Sequence, residues 1–327
     1  MGDYAVGMTG HTEHGLLHSA LFYRSEHEYV DSVVHFVSEW LTKACPVLVA
    51  VPGAKMVRLH SVLRRVADDE AHEVVLTDIC QVGRNPGRIL GWMSGFVQRH
   101  RGRPVRIIGE SMWPGRSSVE YPACVQHEAL VNLALEGQDA TCLCLYDAVR
   151  LDDSVLADAR LTHPLLWQDG AHRRSAEYAV DVAVERGNQP LQTHPAAVTF
   201  AVGKLADLSG ARQWCAWYGS LLGMSADRIA DLQLVVTELA TSSLQRGSAR
   251  CRLAFWHHDN HVVCEARGGA HLADPLVGRR PPSVGEVSAS GLFVVNAVAD
   301  LVRTYTSRAG TTIHAYIRLD RSPGKAA

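Results

Sequence analysis

The first half of the chain alternates short apolar runs with longer amphipathic stretches, and that alternation leaves few folds open. The apolar runs are Ser19–Tyr23 (SALFY), Pro46–Val51 (PVLVAV), Glu73–Ile79 (EVVLTDI), Pro104–Ile108 (PVRII) and Thr141–Tyr146 (TCLCLY). Between them the spacing predicts helices over Glu26–Thr42, Lys55–Asp68, Gly87–His100 and Pro122–Glu136. In the first of these, Tyr29, Val33, Phe36, Val37 and Trp40 recur at the spacing that lines one side of a helix. Short strands separated by helices of this length make βαβ units, whose parallel sheet is covered on both faces. The expected fold is a doubly wound, mostly parallel α/β domain over residues 1–170.

A chain of 327 residues exceeds one core of roughly 100–200 residues, so a second domain is expected. A helix over Arg173–Glu185 and the breaker-rich GNQPLQTHP read as a linker, 171–195. The second domain, 196–320, begins with the strand AVTFAV and a helix over Leu208–Leu222 carrying Trp214, Trp217 and Tyr218. Ser225 suits the N-cap of a long helix to Gln245, which Gly247 ends. Strands follow at Arg250–His257 and His261–Arg267 around an Asp259-Asn260 turn, then a Gly/Pro/Arg-rich loop, Gly268–Ser290. A helix over Leu292–Ala299 and a hairpin, Leu301–Thr306 with Thr311–Leu319, complete a two-layer α/β sandwich, leaving a tail at 321–327.

A net charge of −2 supplies no basic field to hold DNA or an anionic membrane, so neither is an expected partner. The start, MGDYAVGMTGHTEHG, lacks the basic and apolar regions of a secretory leader, and no apolar run approaches the ~20 residues of a membrane span. A cytoplasmic location is expected. The eight cysteines include no C-x-x-C pair, and Cys142 and Cys144 share one face of their strand, which suits buried reduced thiols.

On the long helix Glu238 and Ser242 stand four apart, on one face beside a stripe of Ile229, Leu232, Val235 and Leu239. A carboxylate there suits a general base, and an oxygen one turn on suits a magnesium ion against nucleotide phosphates. Here residues 196–319 resemble the GHKL ATPase-fold anti-sigma factors, the RsbW-type serine kinases. VVTELATSSLQRG resembles their N box, usually E-L-x-x-N-A; CEARGGAHLADPLVGRRPP resembles the adenine-binding box; SASGLFVVNAVADLV resembles the phosphate lid, and GTTIHAYI the final strand. The resemblance implies ATP and magnesium around Glu238, Ser242, Gly268, Ala270, Ser290, Gly291, Leu292 and Thr311.

Departures from that pattern damage the site. Ser242 stands where the metal-binding Asn is expected, Gly268 where the adenine-reading Asp is expected, and Ala270 where a Gly is expected. The lid keeps Gly291, but serine takes the place of another glycine, at Ser288 or Ser290. Losing the bond to adenine costs roughly 1–3 kcal/mol, about 5- to 150-fold in affinity. ATP binding is expected to be weak or lost, with any magnesium held poorly by Ser242. On this reading the double change Ser242→Asn with Gly268→Asp should raise ATP affinity.

The first half resembles the MEDS (methanogen/methylotroph, DcmR sensory) domain from about His18 to Leu165. The resemblance is carried by HSALFYRSEHEYVDSVVHFVSEWL, PVLVAVPG, VGRNPGRIL, GRPVRIIGESMWPGRSSVEYPACVQHEALVNLAL and THPLL. It implies a degenerate P-loop or RecA-like fold that senses a ligand. Lys55 follows Pro52-Gly53-Ala54 without the second glycine and hydroxyl of a working P-loop, so no P-loop nucleotide is expected. Ligands of open α/β sheets settle beyond the carboxyl ends of the strands, where Pro52, Gly53, Asp78, Glu110, Trp113 and Asp147 fall, with His127 on the following helix. Asp78 and Asp147 equally suit helix caps, and His127 a buried structural role. His11, His14 and His18 would align on a helix, which suits a zinc or nickel site, but no acid or thiol accompanies them.

The two resemblances together are those of RsbA-like regulatory proteins. They imply a switch in which a small-molecule signal controls binding of a sigma factor or of an anti-sigma-antagonist (STAS-type) protein. The competing expectation is an active serine/threonine protein kinase of the anti-sigma type, with Glu238 as base.

Overall fold

The computed structural model describes residues 15–41, 45–67, 74–282 and 287–320. The first half runs β1 (Leu16–Tyr23), α1 (Glu26–Leu41), β2 (Val47–Val51), α2 (Gly53–Ala67), β3 (Val74–Asp78), α3 (Ile79–Val82), α4 (Pro86–Arg99), β4 (Val105–Gly109), α5 (Tyr121–Ala134) and β5 (Ala140–Asp147). It continues through α6 (Asp153–Thr162), β6 (Leu165–Gln168), β7 (Ala171–Arg174) and α7 (Val180–Gly187). One sheet has the order β3-β2-β4-β5-β1-β6-β7, parallel except for the last strand.

Both faces of this sheet are covered, which is why β2 and β5 are buried at every residue and read as continuous apolar runs. Val33, Phe36 and Val37 of α1 and Leu59 and Leu63 of α2 pack on Leu21, Val47, Val49 and Val51. On the other face Leu90, Phe96, Leu130 and Leu135 pack on Leu48, Ala50 and Ile107. Each such side chain contributes about 1.5–3 kcal/mol when fully buried. The side chain of Trp40 lies outside the described residues, as do Thr42, Asp68, Glu73, His11, His14 and the 321–327 tail.

The sheet runs past Gly170. Asp169 and Gly170, at φ 51° and 74°, turn β6 into β7, and the helix expected from Arg173 begins at Val180. Two four-residue strands are too short to show a period, and the polar DSVLADARLT hid α6.

The second half runs β8 (Val198–Val202), α8 (Leu208–Leu221), α9 (Ala226–Gln245), β9 (Cys251–His258), β10 (His261–Gly268), α10 (Val287–Val298), β11 (Leu301–Ser307) and β12 (Gly310–Arg318). Its antiparallel sheet has the order β11-β12-β10-β9-β8. All three helices lie on one face, where Cys215, Leu232, Val235, Leu239, Leu292 and Val295 meet Leu253, Phe255, Cys264 and Ile313. Ser225 caps α9, its Oγ accepting from the Arg228 amide at 3.3 Å. The fold is thus α/β throughout, one mixed mainly parallel sheet and one antiparallel sheet.

The segment between the halves is tied down. Asn188 Nδ2 donates to the Thr306 carbonyl at 2.8 Å and its Oδ1 accepts from the Thr306 amide at 2.9 Å. Thr193 Oγ1 donates to buried Glu265, which also takes hydrogen bonds from Arg252 and His314.

The halves also pack directly. Asn85, N-cap of α4, donates to the Asn296 carbonyl at 2.9 Å, and its Oδ1 accepts from the Val302 amide at 3.3 Å. Arg88 donates to the carbonyls of Asn296, Val298 and Ala299 at 2.9, 3.1 and 2.7 Å, closing the C-terminus of α10. A Cβ at Gly87 would collide with the Asn296 side chain, and one at Gly91 would lie 2.9 Å from the Phe293 ring. These glycines let α4 approach α10 closely. Helix α5, covered by the sheet on one side and the second half on the other, is buried at every residue from Pro122 to Val131.

Candidate functional site

The parallel strands bring their carboxyl ends to one edge, where Tyr23, the Pro52-Gly53 turn, Glu110 and Asp147 assemble. The amides of Lys55 and Met56 bond the Pro52 carbonyl at 2.8 and 3.0 Å, fixing the first turn of α2. Lys55 Nζ lies 2.6 Å from Glu110 Oε1 and donates to the Tyr23 hydroxyl, which itself donates to Glu110 at 3.1 Å. The ammonium also sits 4.7 and 4.8 Å from the ring centroids of Tyr23 and Tyr29, within cation–π range. Glu110 is 0% exposed; burial raises its pKa, and the Lys55 ammonium opposes that shift. Burial and the Glu110 charge push the Tyr23 phenol up, so it stays a donor.

In front of this triad opens a cleft of about 440 Å³, walled by Tyr23, Arg24, Tyr29, Lys55, Arg58 and Asp147. A volume in this range suits a small organic ligand. Aromatic walls and basic side chains would hold an apolar or aromatic body carrying an acidic or polar group.

The remaining expected residues act as caps or lie apart from the cleft. Asp78 caps α3, accepting from the Cys80 amide at 2.9 Å and the Gly53 amide at 3.0 Å. Asp147 accepts from the amides of Val149 and Arg150, both at 3.1 Å, and so acts as a cap at the cleft wall. Trp113 carries the Arg116 guanidinium 3.5 Å above its ring and lines a separate hollow of about 330 Å³ with Tyr121 and Asp152. His127 is inside the domain, 2% exposed, its pKa lowered to about 4 by burial. Tyr23, Tyr29, Arg24 and Arg58 were missed. Tyr23 and Tyr29 were legible only as apolar residues of a strand and a helix stripe.

In the second half, the residues matched to a nucleotide site close on themselves. Ser242 Oγ accepts from Arg246 Nη1, and burial lowers the pKa of that guanidinium. A Cβ at Gly268 would lie 2.6 Å from Ser248 Oγ and would collide with Ser243 Oγ. Ser248 Oγ accepts from the Ala270 amide at 3.1 Å, and Thr311 Oγ1 donates to the Ala270 carbonyl at 2.8 Å. The void left among Leu239, Ser243, Arg246, Gly268, Ala270 and Thr311 is about 10 Å³, room for about one water. Helix α10 begins at Val287 rather than Leu292, so Ser290 and Gly291 lie in its turns and not in an open lid. A Cβ at Gly291 would sit 2.7 Å from Glu238 Oε2, and Leu292 is 4% exposed in the core.

Between the halves lies a cavity of about 410 Å³ walled by Leu130, Val184, Arg279, Leu292, Val302 and Thr306. Arg279 Nη2 donates to Gln126 Oε1 at 2.8 Å, and burial lowers its pKa to about 10.

Ligands of open, mainly parallel sheets settle beyond the carboxyl ends of the strands, and the 440 Å³ cleft lies at that edge. Residues 17–164 match the family described as MEDS: MEthanogen/methylotroph, DcmR Sensory domain, so this half of the chain carries a MEDS domain, which points to a signalling role. No curated protein matches the chain. No helix among the described residues is long and apolar enough to cross a membrane.

Proposed function

We propose that the chain is a cytoplasmic signalling regulator. A small ligand in the Tyr23–Lys55–Asp147 cleft sets how the second half, an anti-sigma-type domain of GHKL ATPase fold, binds a sigma factor or its STAS-type antagonist. The first half would be a P-loop or RecA-like relative in which Lys55 answers Glu110 instead of a phosphate. The second half would grip a protein without ATP or magnesium. The observation that carries this is the self-filled pocket, in which Arg246, Ser243 and Ser248 occupy the space around Gly268. An adenine ring would have to displace a half-buried guanidinium and two hydroxyls.

Exposed apolar side chains on α8 support a protein partner. Trp214 stacks on Tyr218 at 5.5 Å and packs on the core, whereas Trp217 and Leu221, one turn apart on α8, are 59% and 67% exposed. The loop after β4 joins cleft to interface. It starts at Glu110, and its Arg116 donates to the carbonyls of Gly83 and Arg84 at 2.7 and 2.8 Å, beside Asn85. A ligand transmits through such a link only by binding two arrangements unequally.

Calorimetry of the full chain with ATP and magnesium, and with a purified sigma factor and a STAS-type antagonist, tests the reading. Expected are no nucleotide heat at millimolar ATP and a protein complex that Trp217→Ala weakens by about tenfold or more. Micromolar ATP affinity or phosphate transfer to the antagonist would replace it with an active kinase.

A further inference from the structure

Four side chains far apart in sequence converge in the interior of the first half, under α5 and α6. They are His18 on β1, Glu128 on α5, Cys144 on β5, and His163, which closes the end of α6. All four are buried, and one ligand atom from each lies within 4.8 Å of all the others. His18 Nε2 is 3.4 Å from Cys144 Sγ and 3.8 Å from Glu128 Oε2, and His163 Nε2 is 3.4 Å from the same carboxylate oxygen. Bonds of about 2.0–2.3 Å to a tetrahedral ion place neighbouring ligand atoms about 3.3–3.8 Å apart, so these separations need only slight contraction.

The outer partners also fit. His18 Nδ1 faces Asn132 Oδ1 at 3.1 Å, and His163 Nδ1 faces the Ala159 carbonyl at 2.8 Å. Both acceptors hold the ring proton on Nδ1, which leaves each Nε2 lone pair directed at the centre. Ser111 Oγ donates to Glu128 Oε1 and orients the carboxylate, yet Glu128 Oε2 and His163 Nε2 have no hydrogen-bond partner of their own. Two acceptors facing each other in a dry interior are costly unless a cation joins them.

We propose that His18, Glu128, Cys144 and His163 bind one divalent zinc ion in a closed, four-coordinate site. Two imidazoles, a carboxylate and a thiolate are borderline and soft donors that suit zinc over magnesium or calcium. Binding forms the metal–sulfur bond as the Cys144 thiol proton leaves to solvent, and the two negative ligands neutralise the ion. The site ties β1, β5, α5 and α6 together. Helix α5 also carries Gln126, the partner of Arg279, so the ion would stiffen the helix against which the second half docks.

Because the centre is buried, the ion must enter during folding, and the test loads it there. The full chain is refolded under reducing conditions with zinc or cobalt(II), then freed of excess metal by gel filtration. Expected are one ion per chain by elemental analysis, and in the cobalt form a thiolate charge-transfer band that Cys144→Ser abolishes. Asn132→Ala, which keeps all four ligands, should weaken binding about 10- to 100-fold and guards against a Cys144 variant that fails to fold. Refolded wild-type chain without bound metal would overturn the proposal. So would a cobalt spectrum that folded Cys144→Ser leaves unchanged, since the ion would then lie elsewhere.

Discussion

The two halves treat their pockets in opposite ways. The first leaves a cleft of about 440 Å³ at the strand ends, with Lys55 held over Tyr23 and Tyr29 and neutralised by Glu110. The second draws Arg246, Ser243 and Ser248 into the space around Gly268, where the proposed nucleotide site would lie, and leaves about 10 Å³. In both, a basic side chain that could meet phosphate is bonded inside the protein, but only the first half keeps room beside it. A motif's residues thus do not decide how much space a pocket keeps; the side chains behind them do.

The contrast between the pockets fails if the second one opens on repair of the motif alone. The double change Ser242→Asn with Gly268→Asp, attractive from sequence, puts a carboxylate against Ser243 and Ser248. It should cost about 3 kcal/mol or more and give no nucleotide binding, read by denaturant unfolding and ATP titration. Restored ATP affinity in a stable double variant would mean the pocket yields easily.

Lys55→Met tests the first half. Glu110 is 0% exposed and would lose its counter-charge, which should cost roughly 3 kcal/mol in denaturant unfolding and raise its carboxyl pKa further. An unchanged midpoint would mean that the pair adds nothing to stability.

Arg246→Ala sharpens the contrast by removing the filling side chain alone. A loss of about 1–2 kcal/mol is expected, from the hydrogen bond to Ser242 and the packing given up. ATP should then bind at least about tenfold more tightly than to wild type, since the largest of the three obstructing groups is gone; no gain would place the obstruction in Ser243 and Ser248.

The smallest effect is a pH dependence in the edge hairpin. Burial, aided by Arg106, lowers the His172 pKa from 6.5 to about 4. The unfolded chain therefore takes up a proton that the folded one refuses, and stability present above pH 6.5 is lost as pH falls toward 4. The loss should be of order 1 kcal/mol for a partly exposed ring, and His172→Asn should lack it when unfolding is measured across that range.

Much of the architecture was legible in order along the chain. Periods of two and about 3.6 residues placed α1, α2, α4, α5, α8 and α9 within a few residues, because packing against a layer imposes the repeat on the sequence. What escaped was short or polar: α6, the β6–β7 hairpin, and the early start of α10. The carboxyl-end rule brought Pro52, Gly53, Glu110 and Asp147 to the cleft edge, but not the Tyr23–Lys55–Glu110 triad that shapes it.

By itself, then, the sequence determined most of the helix and strand segments, that the first sheet is mostly parallel and covered on both faces, and where its parallel strands end. Local periodicity carries that information, since each residue's side of an element is set by its neighbours. Tertiary structure alone decided that VGRNPGRIL is a docking surface for α10, that Arg246 fills the second pocket, and that His18, Glu128, Cys144 and His163 meet. Those facts rest on contacts between residues up to 211 positions apart, and no local pattern encodes a distance that only the closed chain creates.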